Sequence, residues 1–465
     1  MGLARDLEAA LDLVTESEKV TIVSHIDADG ISSASILERA LMRERIDAGC
    51  LFVRQLEPFS IRQIPRDGSM CVFLDLGSGQ QNLLEAHGFS RDRVFIIDHH
   101  VSQPCRDPYR EVNALAYGYR KFSAAGMTYL LAKEMDPDNV EFAKLAVVGN
   151  VGDMMAREDL GLTGPAREIV KDGVAHGSIR VMERDLNCYG ISTRPLHIAL
   201  SYMDDPFVPG ISNNSGGVLR LLQRLGVPLR NQQGDWSVWE DLSDEHRRLI
   251  TSAIAQQLLA NGKTHERLLT ENYIFLDEAR RTPLRNAGEF ATLLNACGRW
   301  AKPLIGRAVC TGDRGGAYRE AEHMLKHHRT VIRELMEYIL DTGAIELSHL
   351  QYLHVGGRFP DTIVGIGAGL ALSRLKREKP FLVMCRLPED TNVTKVSMRT
   401  VEDVVRRGAD LQAALVEAVA GCGGEAGGHR IAAGAYIPAE VEEVFVHQVN
   451  GILAGQLDKT GACHR

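Results

Sequence analysis

Side chains that can bind metal ions follow an apolar stretch near residue 95. The stretch VFIIDHH, residues 94–100, is an apolar run that ends in Asp98, His99 and His100. Four consecutive apolar residues predict a buried strand, and the three polar side chains come directly at its carboxyl end. The tripeptide alone is equally typical of a strand that runs into a polar turn. The interpretation therefore depends on what the neighbouring segments contain.

Two further stretches repeat this arrangement. KVTIVSH, residues 19–25, is followed by DADG, and MCVFLDL, residues 70–76, contains an aspartate near its end. An apolar helix, LAVVGNVGD at residues 145–153, also ends in an aspartate. The candidate metal-binding side chains are His25, Asp27, Asp29, Asp75, Asp98, His99, His100 and Asp153.

The elements that carry these side chains alternate between strand and helix. Apolar runs predict strands at 19–25, 48–54, 70–76 and 94–100, and apolar residues at helical spacing predict helices at 31–44 and 80–87. Such alternation predicts a parallel, doubly wound α/β sheet, in which ligands bind outside the carboxyl ends of the strands. The endings of three strands should then lie along one edge of one sheet.

The ligand types favour a particular chemistry. Carboxylate and imidazole ligands without thiolate suit manganese or magnesium, with zinc, iron and cobalt as alternatives. A single tetrahedral ion needs only four ligands, and this set is larger. It is enough for two ions that share a carboxylate, an arrangement that activates water and stabilises in-line displacement at phosphorus. The chain contains neither the GxSxG of a serine hydrolase nor the GxxxxGK[ST] phosphate loop.

Composition limits the class of protein. With 465 residues, 45% of them hydrophobic and 25% charged, the chain is typical of a soluble globular protein of two to four domains. The formal charge of −8 argues against an indiscriminately basic nucleic-acid binder, so any contact with nucleic acid must be local. Nine scattered cysteines without a CxxC pair predict no zinc knuckle and no disulfide framework. No signal peptide or membrane span is predicted, which favours the cytoplasm and no membrane partner.

Five motifs resemble those of the DHH phosphoesterase superfamily. The fifth, GGHRIAAG at residues 427–434, resembles the signature of the DHH-associated carboxy-terminal domain. The length and the first motif are most similar to archaeal RecJ-like exonucleases, including the GINS-associated nuclease. The other four motifs occur in the order of the superfamily: SHIDADG (24–30), FLDLGS (73–78), DHH (98–100) and GNVGD (149–153).

The pattern and the resemblance together predict an α/β fold with four parts. These are a parallel doubly wound DHH domain (1–194), a mostly helical insert (195–315), a connecting helix (316–340) and a smaller α/β DHH-associated substrate-binding domain (341–465). Within them, the Asp- and Pro-rich segment 195–209 predicts a linker or domain edge. The pair His327 and His328 on the connecting helix is interpreted as two surface histidines.

The resemblance implies a role for each motif residue. His25, Asp27 and Asp75 would hold one metal, while Asp29, Asp75, His99 and Asp153 would hold the second, with Asp75 as the catalytic bridge. Asp98 would orient a neighbouring ligand, and His100 would contact the scissile phosphate. The residues implied to grip substrate in the second lobe, across a cleft from the metals, are Ser397, Arg399, Gly427, Gly428 and His429.

The predicted function is a two-metal exonuclease of replication or repair that degrades single-stranded DNA or RNA to mononucleotides. Manganese is the preferred ion and magnesium the second choice. The insert is predicted to dock GINS or another replisome component. Two alternatives stay open. One is a phosphodiesterase or phosphatase of short oligonucleotides or small nucleotides, such as nano-RNA, pAp or cyclic dinucleotides, and the other is a non-catalytic replisome scaffold.

Overall fold

A computed structural model describes residues 2–57, 60–372, 375–387 and 391–461. The chain divides into two compact units, Met1–Met324 and Leu325–Arg465. In the described residues, no helix is both long and apolar enough to cross a membrane.

The first unit contains a five-stranded parallel sheet in the order β2-β1-β3-β4-β5. β3 and β4 are buried along their whole length, as expected of parallel strands with both faces covered. The predicted α/β class is confirmed, while β5 was missed. The strands are β1 (Lys19–His25), β2 (Asp47–Val53), β3 (Met70–Leu74), β4 (Val94–Asp98) and β5 (Arg110–Asn113), and the helices before, between and after them are α1 (Gly2–Thr15), α2 (Ala28–Arg43), α3 (Gln81–Ala86), α4 (Ala124–Met135) and α5 (Ala143–Gly152).

The remainder of the first unit is helical apart from one antiparallel strand pair. β6 pairs with β7, so the chain on both sides of the predicted boundary at residue 194 shares one small sheet. The segment 195–209 is not a simple linker, because it forms α7, whose Leu196 and Leu200 are buried in a core with α8 and α9. The elements are α6 (Gly164–Ala175), β6 (Ile179–Leu186), α7 (Leu196–Ser201), α8 (Ser215–Arg224), α9 (Asp244–Ala260), β7 (Leu269–Phe275), α10 (Ala287–Arg299) and α11 (Pro303–Cys310).

A single long helix, α12 (Gly316–Thr342), contains the boundary between the two units. One prediction about its histidines is wrong. His327 is exposed, but His328 is buried, because adjacent residues on a helix point about 100° apart and only His328 lies on the packed side.

The second unit is built on a six-stranded mixed sheet in the order β12-β13-β11-β10-β9-β8. The glycine-rich signature at 427–434, which contains residues implied to grip substrate, lies largely in the antiparallel pair β12 and β13. Its elements are β8 (Ile345–Glu346), β9 (Gln351–His354), α13 (Asp361–Ala371), β10 (Phe381–Arg386), β11 (Val393–Arg399), α14 (Glu402–Arg406), α15 (Leu411–Cys422), β12 (Glu425–Gly428), β13 (Ala432–Pro438) and α16 (Glu442–Gly461).

Candidate metal centre

The predicted metal ligands of the first unit lie together because β1, β3 and β4 are neighbours in the parallel sheet. His25 ends β1, Asp75 directly follows β3, and His99 directly follows β4. The carboxyl ends of parallel neighbours meet at one edge. Asp75 has a φ of 61°, a left-handed conformation that Asp tolerates better than most residues, and its backbone N–H donates to Ile97 O at 2.9 Å.

The amino terminus of α2 brings two more carboxylates to this edge. Asp27 is the N-cap, and its Oδ1 accepts from the N–H of Gly30 at 3.0 Å. Asp29 lies in the first helical turn. Glycine is required at position 30, because a Cβ there would lie 2.3 Å from the carbonyl oxygen of His25. This close approach fixes how β1 enters α2, and with it the positions of Asp27 and Asp29.

Three ligand atoms form a first group. The Nδ1 of His25 lies 3.0 Å from Asp27 Oδ2 and 3.2 Å from Asp75 Oδ2. The three side chains can each offer one atom within 4.8 Å of the others, the spacing of ligands around one ion. The structure therefore brings together the residues predicted for one metal.

A second group lies on the other side of Asp75. The Nε2 of His99 lies 3.0 Å from Asp153 Oδ2 and 3.8 Å from Asp29 Oδ2. It also lies 3.1 Å from Asp75 Oδ1. The two oxygens of Asp75 thus face different histidines, which is the geometry expected of a carboxylate that bridges two ions.

Burial and mutual repulsion make this edge electrostatically unusual. Asp29 and Asp75 are almost fully buried. Burial and the charges of Asp75 and Asp153 raise the pKa of Asp29 well above its usual value, and burial together with Asp27 raises the pKa of Asp75 to about 6. Burial opposes a charge on His99, but its bonds to Asp153 and Asp75 outweigh this and raise its pKa to about 12. A cluster of buried oxygen and nitrogen donors with excess negative charge suits divalent cations.

Backbone amides hold Asp29 in place. Its two carboxylate oxygens accept from the N–H groups of Ala124 and Ala125 at the amino terminus of α4, each at 2.9 Å. These N–H groups have no partner within the helix, and a helix amino terminus favours a negative charge. The orientation of Asp29 is therefore set before any ion binds.

The carboxylate of Asp98 accepts several hydrogen bonds. It accepts from the backbone N–H groups of Ser78, His99 and His100 at 3.1, 2.8 and 3.1 Å, and its Oδ1 is 2.7 Å from His100 Nδ1. Burial opposes the charge, but these bonds, led by that of His100, lower the pKa of Asp98 below its usual value. Asp98 thus fixes the backbone that carries His99 and His100, and its role in orienting a ligand stays a prediction.

A second polar network, which was not predicted, holds the loop after β4. Asn113, at the end of β5, donates to the carbonyl oxygen of His100 at 2.8 Å and to Ser78 and Ser102. Glu111 accepts from both serines, at 2.7 and 2.9 Å. The segment REVN is too short and too polar to be recognised as a strand. The sequence therefore did not indicate that Glu111 and Asn113 lie near the candidate site.

Helix α10, from the predicted insert, contributes to the metal centre, which the sequence did not indicate. Asn295 Oδ1 accepts from the N–H of Ala28, between Asp27 and Asp29, at 2.9 Å. Gly298 packs so closely on the preceding loop that a Cβ would lie 1.8 Å from Ile26 O. Arg299 is largely buried, which lowers its pKa, while the charge of nearby Asp27 opposes this shift.

The predicted substrate-binding residues of the second unit share one sheet. In the register, Ser397 is opposite Gly434, which is opposite Gly427 on the other side, and Gly428 precedes the exposed turn residue His429. Arg399 donates to the carbonyl oxygens of Met398 and Ala433 at 2.8 and 3.3 Å. Within the described ranges, no carboxylate lies within 4.0 Å of the Arg399 guanidinium.

Comparison with known proteins identifies three domains along the chain. Residues 19–150 match the DHH family, N-terminal domain, residues 188–270 match the DHH-CID domain, and residues 358–455 match the DHHA1 domain. A curated relative, an uncharacterized protein of Methanocaldococcus jannaschii, is 25% identical over 450 residues and covers 94% of each chain.

Solved structures share the fold over nearly the whole chain. Exonuclease RecJ bound to manganese has a TM-score of 0.60 at 15% identity, with 98% of this chain and 94% of that chain covered. CDC45 from Entamoeba histolytica has a TM-score of 0.62 at 12% identity, with 97% and 98% covered. At these identities the likeness establishes a RecJ-like fold.

The bond from Ala28 to Asn295 predicts that α10 stabilises the start of α2. Replacing Asn295 with Ala leaves this buried N–H without its acceptor, and we expect the free energy of unfolding to fall by about 1 to 3 kcal/mol. The measurement is chemical denaturation of the full chain.

The matched control is Thr292→Ala on the same helix. Among the described residues, the hydroxyl of Thr292 bonds only to Gly288 O within α10, so a change of less than about 0.5 kcal/mol is expected. Equal effects of the two substitutions would contradict a specific role for Asn295.

Proposed function

The chain belongs to the DHH family and has a RecJ-like fold, and from this premise we propose a two-metal-ion exonuclease that degrades single-stranded nucleic acid to mononucleotides. The coarser class is a phosphoesterase or nuclease. The proposal rests on the position of Asp75, because its two carboxylate oxygens face two separate groups of ligand atoms. Replication or repair is the proposed setting.

In this proposal, His25, Asp27 and Asp75 hold one divalent ion. Asp29, Asp75, His99 and Asp153 hold the other. When bound, such ions lower the pKa of water and stabilise charge that develops on phosphate oxygens. The imidazole nitrogens of His25 and His99 favour manganese over magnesium, because they are softer ligands than oxygen. RecJ, which has a similar fold, has been crystallised with manganese and with magnesium, so the fold is compatible with both ions.

His100 is proposed to contact the scissile phosphate. Asp98 binds its Nδ1 side, and this hydrogen bond raises the pKa of His100 despite partial burial. With Nδ1 bonded to Asp98, Nε2 is the ring nitrogen left to contact a ligand. The side chain is 55% exposed, so this nitrogen is accessible to a ligand.

Arg399 and Ser397 are proposed to bind a phosphate that does not react. Both lie against Gly365 of α13, where a Cβ would be 2.7 Å from Arg399 Nη2 and 3.2 Å from Ser397 Oγ. Among the residues that the structure describes, the guanidinium donates two hydrogen bonds, both from Nη1. Its remaining donors form part of the planar fork that suits phosphate. Gly427, Gly428 and His429 complete the proposed set.

A protein partner is also proposed. The segment 195–315 exposes several large apolar side chains that its own core does not bury, and CDC45 has a similar fold. The prediction that this segment docks GINS or another replisome component stays a prediction. The exposed side chains are Tyr202, Phe207, Trp236, Leu249, Leu259, Leu276 and Leu304.

The test of the reaction uses end-labelled single-stranded DNA and RNA with manganese, followed by product sizing. We expect mononucleotides from the wild type and a loss of at least about 100-fold in Asp75→Asn, since several kcal/mol of transition-state stabilisation depend on the bridge. Hydrolysis of a dinucleotide but not of longer strands would favour the small-nucleotide alternative. Binding without hydrolysis would favour the scaffold.

The proposed ligand sets predict metal content by position. Asp27→Asn and Asp153→Asn should each lose about one manganese equivalent per chain, and Asp75→Asn should lose more than either, because its carboxylate belongs to both groups. The measurement is elemental analysis after dialysis against limiting manganese. Asp138→Asn, at an exposed carboxylate outside the centre, should match the wild type. Equal losses in Asp27→Asn and Asp75→Asn would contradict a bridging role.

The proposed phosphate contact predicts a salt-dependent effect of Arg399→Ala. Affinity for single strands should fall by about 1.5 to 3 kcal/mol, the scale of a charged hydrogen bond, and the log-log salt slope should flatten by about 0.7. Manganese content should not change, because Arg399 is not a ligand. Arg406→Ala, at an exposed arginine on α14, should leave the slope unchanged. A lower melting temperature with an unchanged slope would assign Arg399 a purely structural role.

A further inference from the structure

A cavity of about 310 Å³ lies in the first unit among elements that contribute no predicted site residue. Its floor is the β6 and β7 pair. Its walls come from residues 191–192, from 239–247 and from the segment 280–285 that follows β7. The cavity is thus lined by residues of the DHH-CID match, 188–270, and by residues of β6 and β7, the strands at the two ends of that match.

Strand geometry explains which side chains line the floor. Arg180 and Met182 are two residues apart on β6, so their side chains lie on the same face of the strand pair. Ile274 of β7 lies directly opposite Arg180. A register shift between Met182 and Asp185 returns Asp185 to the same face, as a bulge does. Asp185 then accepts from Trp239 Nε1 at 2.7 Å. The lining therefore includes an apolar part, formed by Met182, Ile191, Ile274 and Trp239.

Positive charge exceeds negative charge in the lining. Four arginines face two carboxylates, Asp185 and Glu240, and Asp185 is already engaged by Trp239 and Asn272. Glu240 is shared, at 3.2 Å from Arg280 Nε and 3.5 Å from Arg285 Nε. Across the described ranges Arg180 has no hydrogen-bond or ion-pair partner for its guanidinium. The four arginines are Arg180, Arg247, Arg280 and Arg285.

A buried hydroxyl also lacks a partner. Ser192 is only 1% exposed, and its Oγ makes no hydrogen bond to any residue that the structure describes. Its backbone N–H donates to Glu289 Oε1 at 2.8 Å, so the residue is firmly held. Arg285 Nε is likewise buried and makes no hydrogen bond among the described residues, with its ion-pair partner Glu240 Oε1 at 3.5 Å. Buried polar groups are normally satisfied, and an acceptor-rich ligand would satisfy both.

We infer that this cavity binds a small phosphate-bearing anion with a compact apolar or aromatic body, of the size of a nucleoside monophosphate. Guanidinium groups bind phosphate through paired hydrogen bonds, and pockets of a few hundred Å³ with an apolar wall and few polar anchors are typical of small-molecule sites. The inference does not depend on the proposed nuclease activity, because no residue of the metal centre lines the cavity.

The experiment is calorimetric titration of the full chain, with magnesium present, using AMP, inorganic phosphate and adenosine as separate probes. AMP should bind the wild type, phosphate more weakly and adenosine not measurably. Arg180→Gln should raise the Kd for AMP about tenfold, the scale of a lost charged hydrogen bond, and Ser192→Ala about fivefold. Ser192→Ala should not lower the melting temperature, because it removes only an unpartnered hydroxyl.

Two controls separate this site from others. Arg184→Gln changes an exposed arginine of the same strand that does not line the cavity, and it should bind AMP like the wild type. Asp75→Asn should also retain AMP binding, whereas binding at the metal centre would be lost in that variant. The inference is overturned if AMP does not bind, if Asp75→Asn abolishes binding, or if Arg180→Gln and Arg184→Gln behave alike. Phosphate binding as tight as that of AMP would overturn the proposed size of the ligand.

Discussion

The shared carboxylate of Asp75 is the constraint on which the candidate centre depends. Its oxygens face His25 on one side and His99 on the other, so both ligand groups require this one side chain in one orientation. The orientation follows from backbone geometry: the residue leaves β3 with a positive φ and bonds to the neighbouring strand β4. Parallel pairing of β1, β3 and β4 then places all three ligand-bearing ends at the same edge.

The second support of this edge comes from α10, about 270 residues along the chain from α2. Asn295 accepts the N–H of Ala28, and Gly298 allows the helix backbone to approach Ile26. These contacts fix the loop between His25 and Asp29. Residues 195–315 are therefore more than an insert added to a finished domain, because α10 packs on the loop that carries Asp27 and Asp29 of the candidate metal centre.

The sequence predicted the parts of the fold whose physics is local. Apolar runs bounded by polar residues located β1, β3 and β4 because strands buried on both faces need uninterrupted apolar side chains. It did not predict β5 or the pairing of β6 with β7. REVN is short and polar, and the register of β6 and β7 joins residues about 90 positions apart. The buried position of His328 and the approach of α10 were missed for the same reason, since both depend on tertiary packing.

The metal centre shows the same division between local and long-range causes. The resemblance of the motifs named the ligand side chains, and the structure brings these side chains together. The motifs could not show how these side chains shift one another's pKa values. Burial lowers the pKa of His99, but the bonds of its Nε2 to Asp153 and Asp75 outweigh this and raise the pKa to about 12. The proposed ion would therefore compete with a proton for this nitrogen. Asp75 and Asp153 attract the proton and the ion alike, so on the proposed ligand assignment metal binding should weaken as the pH falls.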